Sequence, residues 1–313
     1  MTKIVFINQL AAQEEQKWLT QIKVSLPDEI VVLSSDLAPS DTEHVDIAIV
    51  ANPSPEELAR FQHLKWVQSL WAGVEQIAPM LSDKATPLVR LIDPTLAQTM
   101  AESVLAWTLY LQRNMATYQR QQSEQLWQAL PTVAAKDLRV TVLGVGELGI
   151  KSLNLLGKLD YQLQSWSRTE KHIEGVAHFS GEDGLSKVLK KTDILISLLP
   201  LTDATRYLLN QEKLGLLPRG AQLINFSRGA IIDGEALIEK LDNGHIAHAV
   251  LDVFEQEPLP VGSAFWQHPK ITVLPHISAP TNKETAAKIV ADNIKHYRAT
   301  GDIPNAVNMK LGY

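Results

Sequence analysis

The chain has no cysteine. That excludes disulfides, thiolate zinc sites, iron–sulfur clusters and a cysteine nucleophile together, and it fits a reducing compartment. Long hydrophobic runs are missing too. None approaches the roughly 20 apolar residues that a membrane-spanning helix needs, so no membrane is expected as a partner. The first residues, Met1–Asn8, are too few and too strand-like to read as a signal peptide, and a cytoplasmic location is expected. Nor is there an excess of positive charge. A net charge of −6 argues against a nucleic-acid surface and suits solubility. No internal repeat or low-complexity segment interrupts the chain. What remains is ordinary for a globular protein, with 45% hydrophobic and 20% charged residues. A length of 313 residues points to two domains, at about 100–200 residues each.

In the first third, short apolar runs alternate with helical stretches. Strands are expected at Lys3–Asn8, Ile30–Leu33, Val45–Val50, Trp66–Leu70 and Pro87–Leu91, with helices at Ala11–Val24 and Pro55–His63. The second helix starts cleanly, with Ser54 as its cap, Pro55 at the first position and Glu57 in the first turn. Alternation of this kind implies a parallel sheet covered on both faces. A long apolar helix without Gly or Pro is expected from about Leu96 to Tyr118, and Pro131–Asp137 reads as a linker. A second series then begins: strand Arg139–Leu143, helix Leu148–Leu159, strand Gln162–Trp166, helix Gly184–Lys190 and strand Ile194–Leu199. It continues with strand Gln222–Phe226, helix Gly234–Asp242, and strands Ile246–Val253 and Ile271–Leu274. Asp233 is placed to cap its helix and Gly244 to close it. The last helix, Lys283–Thr300, follows this series and is assigned back to the first domain, which makes that domain discontinuous.

Between the strand Arg139–Leu143 and its helix lies Gly144-Val-Gly146-Glu147-Leu148-Gly149. In a strand–loop–helix setting the first glycine makes the tight turn and the second lets backbone approach a pyrophosphate. The third lets helix and strand pack closely, with the helix amino terminus facing the phosphates. About 20 residues further on, an NAD-binding fold carries an acid for the ribose hydroxyls. This chain has Trp166-Ser167-Arg168-Thr169 there. A guanidinium grips a 2′-phosphate that a carboxylate would repel, and Ser167 and Thr169 add hydroxyl donors, with Lys171 nearby. The expected cofactor is NADP(H). The competing reading has Arg168 on the solvated surface and Glu170 as the ribose acid.

Arg228, Glu257 and His276 each come after an apolar strand-like run: Leu223–Ser227, Ala249–Phe254 and Ile271–Pro275. Ligands and catalytic groups in open α/β sheets gather beyond the carboxyl ends of the strands, so all three are expected on one rim. A cation, a carboxylate and an imidazole are the parts needed to reduce a 2-keto acid. His245 and His248 lie three apart in a strand-like run and so face opposite sides, which argues against a metal pair.

Five segments together resemble the D-isomer-specific 2-hydroxyacid dehydrogenases: Gly144–Gly149, Leu198–Thr202, Asn225–Asp233, Leu251–Pro260 and His268–His276. The resemblance spans essentially the whole chain. Trp166–Thr169, Trp266–Pro269 and the terminal Gly312-Tyr313 are similar to the bacterial glyoxylate/hydroxypyruvate reductase A branch. It implies two Rossmann-like, doubly wound parallel-sheet domains with a cleft between them. Residues 1–98 and 280–313 would form the flavodoxin-like substrate domain, and residues 99–279 the NADP-binding domain. It also implies that Arg228 binds substrate, His276 is the acid/base and Glu257 favours the charged imidazole. Asp252 and Ser278 would lie near the nicotinamide carboxamide, and Leu199, Pro200 and Asn225 beside the cofactor. The loop Ala72-Gly73-Val74 would receive the substrate carboxylate on its backbone N–H groups.

Two tryptophans keep two readings each. Trp71 stands where the family often has a small residue, and either narrows the pocket or faces the core. Trp127 follows the long helix, where relatives carry a dimerisation arm, and either closes a partner's site in a homodimer or packs at home. Pro275-His-Ile-Ser-Ala279 departs from the family's frequent His-Ile-Gly-Gly. The activity implied is NADPH-dependent reduction of glyoxylate or hydroxypyruvate to glycolate or D-glycerate. The alternatives are a phosphoglycerate or D-lactate dehydrogenase branch, or a nucleotide-sensing corepressor-like binder without turnover.

Overall fold

Ile4–Ile7 are all fully buried, which places the first strand inside a sheet covered on both faces. The computed structural model describes residues 2–82, 86–309 and 311–312. In chain order the elements begin β1 (Lys3–Asn8), α1 (Ala12–Ser25), β2 (Ile30–Leu33), β3 (Val45–Ala51), α2 (Pro55–Ala59), β4 (Trp66–Ser69), α3 (Ala78–Leu81) and β5 (Leu88–Val89). Then come α4 (Pro94–Gln112), α5 (Met115–Ser123), β6 (Arg139–Leu143), α6 (Glu147–Leu156), β7 (Gln162–Ser167), β8 (Ala177–Ser180), α7 (Gly181–Leu189) and β9 (Ile194–Ser197). The chain finishes with α8 (Gln211–Gly215), β10 (Ala221–Asn225), α9 (Gly234–Asp242), β11 (Ile246–Leu251), α10 (Ala264–Gln267), β12 (Ile271–Val273) and α11 (Lys283–Thr300). Contacts divide it into two units, Met1–Thr95 with Thr281–Tyr313, and Leu96–Pro280.

The first unit holds a five-stranded sheet in the order β2-β1-β3-β4-β5, with every pairing parallel. This is the flavodoxin-like order. One face packs on α1 and α11. Ala286, Ala287 and Ala291 let α11 lie close to Trp66 and Ile22. Asn293 donates to the buried Gln68 at 2.9 Å, and Arg298 bridges Glu29 and Asp46 at the base of the sheet. The other face packs Leu58, Phe61, Val74, Ile77 and Leu81.

The second unit holds a seven-stranded parallel sheet in the order β12-β11-β10-β9-β6-β7-β8. Counted from β6, that is the Rossmann order with one strand added at the β12 edge. Its strand order reverses between β6 and β9, and there the loops after both strands touch. Leu198 N–H donates to the Leu143 carbonyl at 2.8 Å. A Cβ on Gly144 would lie 2.6 Å from the Leu198 oxygen.

The expected architecture of two doubly wound parallel α/β sheets is what is found, with local corrections. The helix expected at Leu96–Tyr118 is two helices. Asn114 between them takes φ 56°, a left-handed conformation that Asn tolerates better than most residues. The first of the two also starts earlier, because Asp93 accepts the Thr95 N–H at 2.8 Å and Pro94 suits the first helical position. β8 has no counterpart in the sequence reading. It is a four-residue edge strand, Ala-His-Phe-Ser, too short and too polar to stand out from the loop around it. Strands expected to run on to Leu199 and Val253 end at Ser197 and Leu251, and the residues released form loops at the rim.

Candidate active site

At the switch point, three glycines shape the loop that joins β6 to α6. Gly144 has φ 96°, open only to glycine at low cost. A Cβ on Gly149 would fall 1.9 Å from the Gly144 carbonyl oxygen, so the helix start and the turn exclude any side chain there. A Cβ on Gly146 would meet nothing within 4 Å. Glu147 is exposed and begins α6, while Leu148 packs inward against the Val142 and Val145 core. Lys171 crosses to this loop and donates to the Val145 carbonyl at 2.9 Å.

Next along the rim, β7 ends in Trp166-Ser167. Trp166 is buried and donates to the Gly181 carbonyl at 2.8 Å. Ser167 donates to the Thr169 carbonyl at 2.8 Å and lies 3.2 Å from His178 on β8. Arg168 and Thr169 are exposed. Glu170, the competing acid, accepts from Ser180 at 2.6 Å.

The other half of the rim is built by buried polar side chains that serve the backbone. Asn225, 1% exposed, ends β10. Its amide donates to the Arg228 carbonyl at 3.0 Å, and its oxygen accepts from Ser227 N–H at 3.2 Å and Ser227 Oγ at 2.7 Å. Arg228 leaves this turn in extended conformation, half-buried, with one guanidinium nitrogen donating to the Ser227 carbonyl at 2.7 Å. A Cβ on Gly229 would lie 1.9 Å from the Phe254 carbonyl carbon, so the β10 and β11 loops press backbone to backbone.

Asp252, 2% exposed, plays the same part for the β12 loop. Its carboxylate accepts the N–H groups of Ile277 at 2.7 Å and Ser278 at 2.9 Å, and its carbonyl accepts that of His276 at 3.0 Å. These three bonds hold His276 at φ 54°, a conformation that costs a non-glycine residue energy and that collects at functional sites. The imidazole Nδ1 then lies 2.7 Å from Glu257 Oε2, and Glu257 Oε1 accepts the Phe254 N–H at 2.9 Å. The carboxylate is therefore fixed at both oxygens. The ring side chain remains 53% exposed.

The family model of the D-isomer specific 2-hydroxyacid dehydrogenase NAD binding domain matches residues 105–278. The chain belongs to this 2-hydroxyacid dehydrogenase family. It is 36% identical over 306 residues to glyoxylate/hydroxypyruvate reductase A of Yersinia enterocolitica, covering 96% of this chain and 97% of that one. It is 38% identical over 279 residues to the protein of that name from Photorhabdus laumondii, covering 87% and 89%. Among solved structures, a D-isomer specific 2-hydroxyacid dehydrogenase from Xanthobacter autotrophicus, in complex with NADPH and MES, superposes with a TM-score of 0.93 at 37% identity. That match covers 100% of this chain and 99% of the other. An NADPH-dependent glyoxylate/hydroxypyruvate reductase from Sinorhizobium meliloti, in complex with NADP and sulfate, gives 0.89 at 29% identity and 100% coverage of both.

A family dinucleotide fits the residues of this 2-hydroxyacid dehydrogenase on two local observations. The space over Gly146 is open where a phosphate needs close approach to backbone. Ser278 Oγ is buried with no hydrogen-bond partner among the described residues, on the loop that Asp252 holds. Asn225 and Asp252, which the sequence reading assigned to the cofactor itself, have their side chains turned onto backbone: Asn225 onto its own turn and Asp252 onto the neighbouring β12 loop. Leu199 is buried beside the switch point, and Pro200 accepts from Thr205 at 2.7 Å.

In the first unit, Trp71 sets its ring edge-on to Trp18 at 5.8 Å and donates to Asn52 at 2.9 Å. Its ring thus packs on the core of its own unit. Ala72 and Gly73 are partly exposed, while the Val74 side chain lies in the core. Two supporting residues escaped the sequence reading. Ser103 on α4 donates to the Ser278 carbonyl at 2.5 Å, and Tyr207 donates to Glu255 at 2.5 Å beside Glu257. A small polar residue on an otherwise apolar helix face was the available signal for Ser103. Tyr207 left none.

Proposed function

We propose that the protein reduces glyoxylate and hydroxypyruvate to glycolate and D-glycerate with NADPH. The observation that carries this is the His276–Glu257 pair, 2.7 Å apart on a loop that three Asp252 bonds hold. The curated relatives named as glyoxylate/hydroxypyruvate reductases and the neighbours solved with NADPH or NADP support the substrate and the cofactor.

When bound, the reduced nicotinamide supplies the hydride. The chain's own residues do the rest. Gly144, Gly146, Glu147, Leu148 and Gly149 form the pyrophosphate seat, with the α6 amino terminus favouring the negative charge. Ser167, Arg168 and Thr169 take the 2′-phosphate through hydroxyl and guanidinium donors. Leu199, Pro200 and Ser278 line the dinucleotide, and Asn225 and Asp252 act through the loops they brace. Nδ1–H of His276 donates its hydrogen bond to Glu257, so Nε2 is the nitrogen that delivers a proton to the keto oxygen. Arg228 holds the substrate carboxylate with a fork that a lysine cannot copy. Ala72, Gly73 and Val74 contribute on the substrate side through backbone N–H groups, and Trp71 anchors their loop through Trp18 and Asn52.

The test is oxidation of NADPH and NADH with glyoxylate, hydroxypyruvate, pyruvate and bulkier 2-keto acids side by side. The two small acids with NADPH should give the highest kcat/KM. Preference for a bulky acid would remove the substrate assignment, and equal use of NADH would remove the cofactor assignment. The proposal includes a cytoplasmic location and a homodimer, and the dimer is supported by Trp127, which is 102% exposed after α5, with Leu126 at 48%. A monomer mass by light scattering would remove the dimer.

A further inference from the structure

Beside the proposed 2′-phosphate residues runs a hydrogen-bonded chain that none of the assigned roles uses. β8 pairs with β7 so that His178 stands opposite Ser165 and Ser180 opposite Ser167. The His178 ring bridges two serines of β7, with Nδ1 2.9 Å from Ser165 Oγ and Nε2 3.2 Å from Ser167 Oγ. Nε2 is also 3.4 Å from the Thr169 carbonyl, to which Ser167 donates at 2.8 Å.

With the ring neutral, one direction satisfies all four groups. A hydroxyl has one proton, and Ser167 places it on the Thr169 carbonyl, which can only accept. Nε2 must then be the donor to Ser167. With Nε2 protonated, Nδ1 of the neutral ring accepts, and the fully buried Ser165 gives it its proton. The other tautomer would set the Nε2 lone pair against the Thr169 carbonyl oxygen. The chain therefore runs Ser165 to His178 to Ser167, and Ser167 ends it as a donor.

We infer that His178 is a positioning residue for cofactor choice, which holds the Ser167 hydroxyl in the donating sense and so favours a dinucleotide bearing a 2′-phosphate. This rests on the NADP(H) reading above. A phosphate dianion offers only acceptors and takes the proton that Ser167 otherwise gives to the Thr169 carbonyl. A ribose 2′-hydroxyl can donate or accept, and gains nothing from a fixed direction. The same strand also engages the one carboxylate of the Trp166–Lys171 loop, because Ser180 donates to Glu170. β8 thus sets the hydroxyl that donates and occupies the acid that would repel.

Binding of adenosine 2′,5′-bisphosphate, 5′-AMP, NADPH and NADH to the full-length protein, measured by calorimetry, tests this, with steady-state kinetics alongside. His178→Ala should weaken the two 2′-phosphorylated ligands about tenfold, the worth of one charge-assisted hydrogen bond. NADH, 5′-AMP and kcat should stay within about twofold, since no group that touches them changes. His178→Gln, whose amide nitrogen can donate to Ser167, should recover most of the loss. Equal weakening of phosphorylated and unphosphorylated ligands would overturn the inference, and so would unchanged binding of the phosphorylated pair. Wild-type protein that binds NADH as tightly as NADPH would overturn the cofactor reading, and the inference with it.

Discussion

The two halves of the second unit's rim are held by different means. Beyond β10, β11 and β12, buried carboxyl and amide groups lock the backbone. Asn225 makes three bonds within its own turn, Asp252 accepts three from the β12 loop, and Gly229 lies against Phe254. Beyond β7 and β8, side chains hold side chains, through Ser165, His178, Ser167, Ser180 and Glu170. Backbone locks fix where an atom stands, which proton transfer demands. Hydroxyl and imidazole chains fix which way a proton points, and that is enough to choose between ligands.

Substitutions can break this contrast, and the largest effect belongs to the locked half. His276→Ala should lower kcat by about a thousandfold while calorimetric NADPH binding stays near wild type, in keeping with the contribution of a positioned acid. Near-normal turnover would end the assignment. Asp252→Ala should cost about 2 kcal/mol of stability in urea unfolding, because the buried Ser278 N–H and the part-buried Ile277 N–H lose their acceptor together. It should also lower kcat, since His276 would leave its left-handed turn. Loss of kcat without loss of stability would contradict the locking role.

His248 sharpens the contrast from the other end of β11. It is 7% exposed, and burial first, then the charge of Arg120 and the nearby His268, hold its imidazole down to about 4. The unfolded chain takes up this proton below its ordinary value of 6.5 and the folded chain does not until about 4, so stability falls as pH drops through that window. The loss should reach about 3 kcal/mol at the acid end and be flattened in His248→Gln, with kcat near neutrality unchanged. A pH–stability profile identical in the two proteins would refute it. The smallest effect belongs to the side-chain half. Arg168→Ala should raise the KM for NADPH about tenfold and leave that for NADH alone, as one charge-assisted contact is worth. Equal changes for both would place Arg168 outside the cofactor site.

How much of this was legible beforehand follows from distance along the chain. The glycine loop is six residues read straight through, with β6 before it and α6 after it. The alternation of strand and helix set both sheets as parallel, and Ser54 and Asp233 each cap their helix from the adjoining residue. Arg228, Glu257 and His276 were visible because each stands at the end of an apolar run. Asn114 hid its break because nothing next to it interrupts the helical pattern. β8 hid because an edge strand of four residues offers only one large apolar side chain, Phe179, to read.

By itself the sequence determined the local pieces: which segments other than β8 are strands, where the phosphate loop turns, and which three ionisable residues follow strand ends. These are near-neighbour properties, written in hydrophobic period, glycine placement and capping. Tertiary structure alone decided what the buried polar groups face. Asp252 meets Ser278 across 26 residues, His178 meets Ser165 across 13, and Ser103 meets the Ser278 carbonyl across 175. A buried donor or acceptor must find a partner wherever the fold supplies one. No window along the chain contains both ends of such a bond, so the role of Asp252 as a lock and of His178 as a guide could be read only once the strands lay side by side.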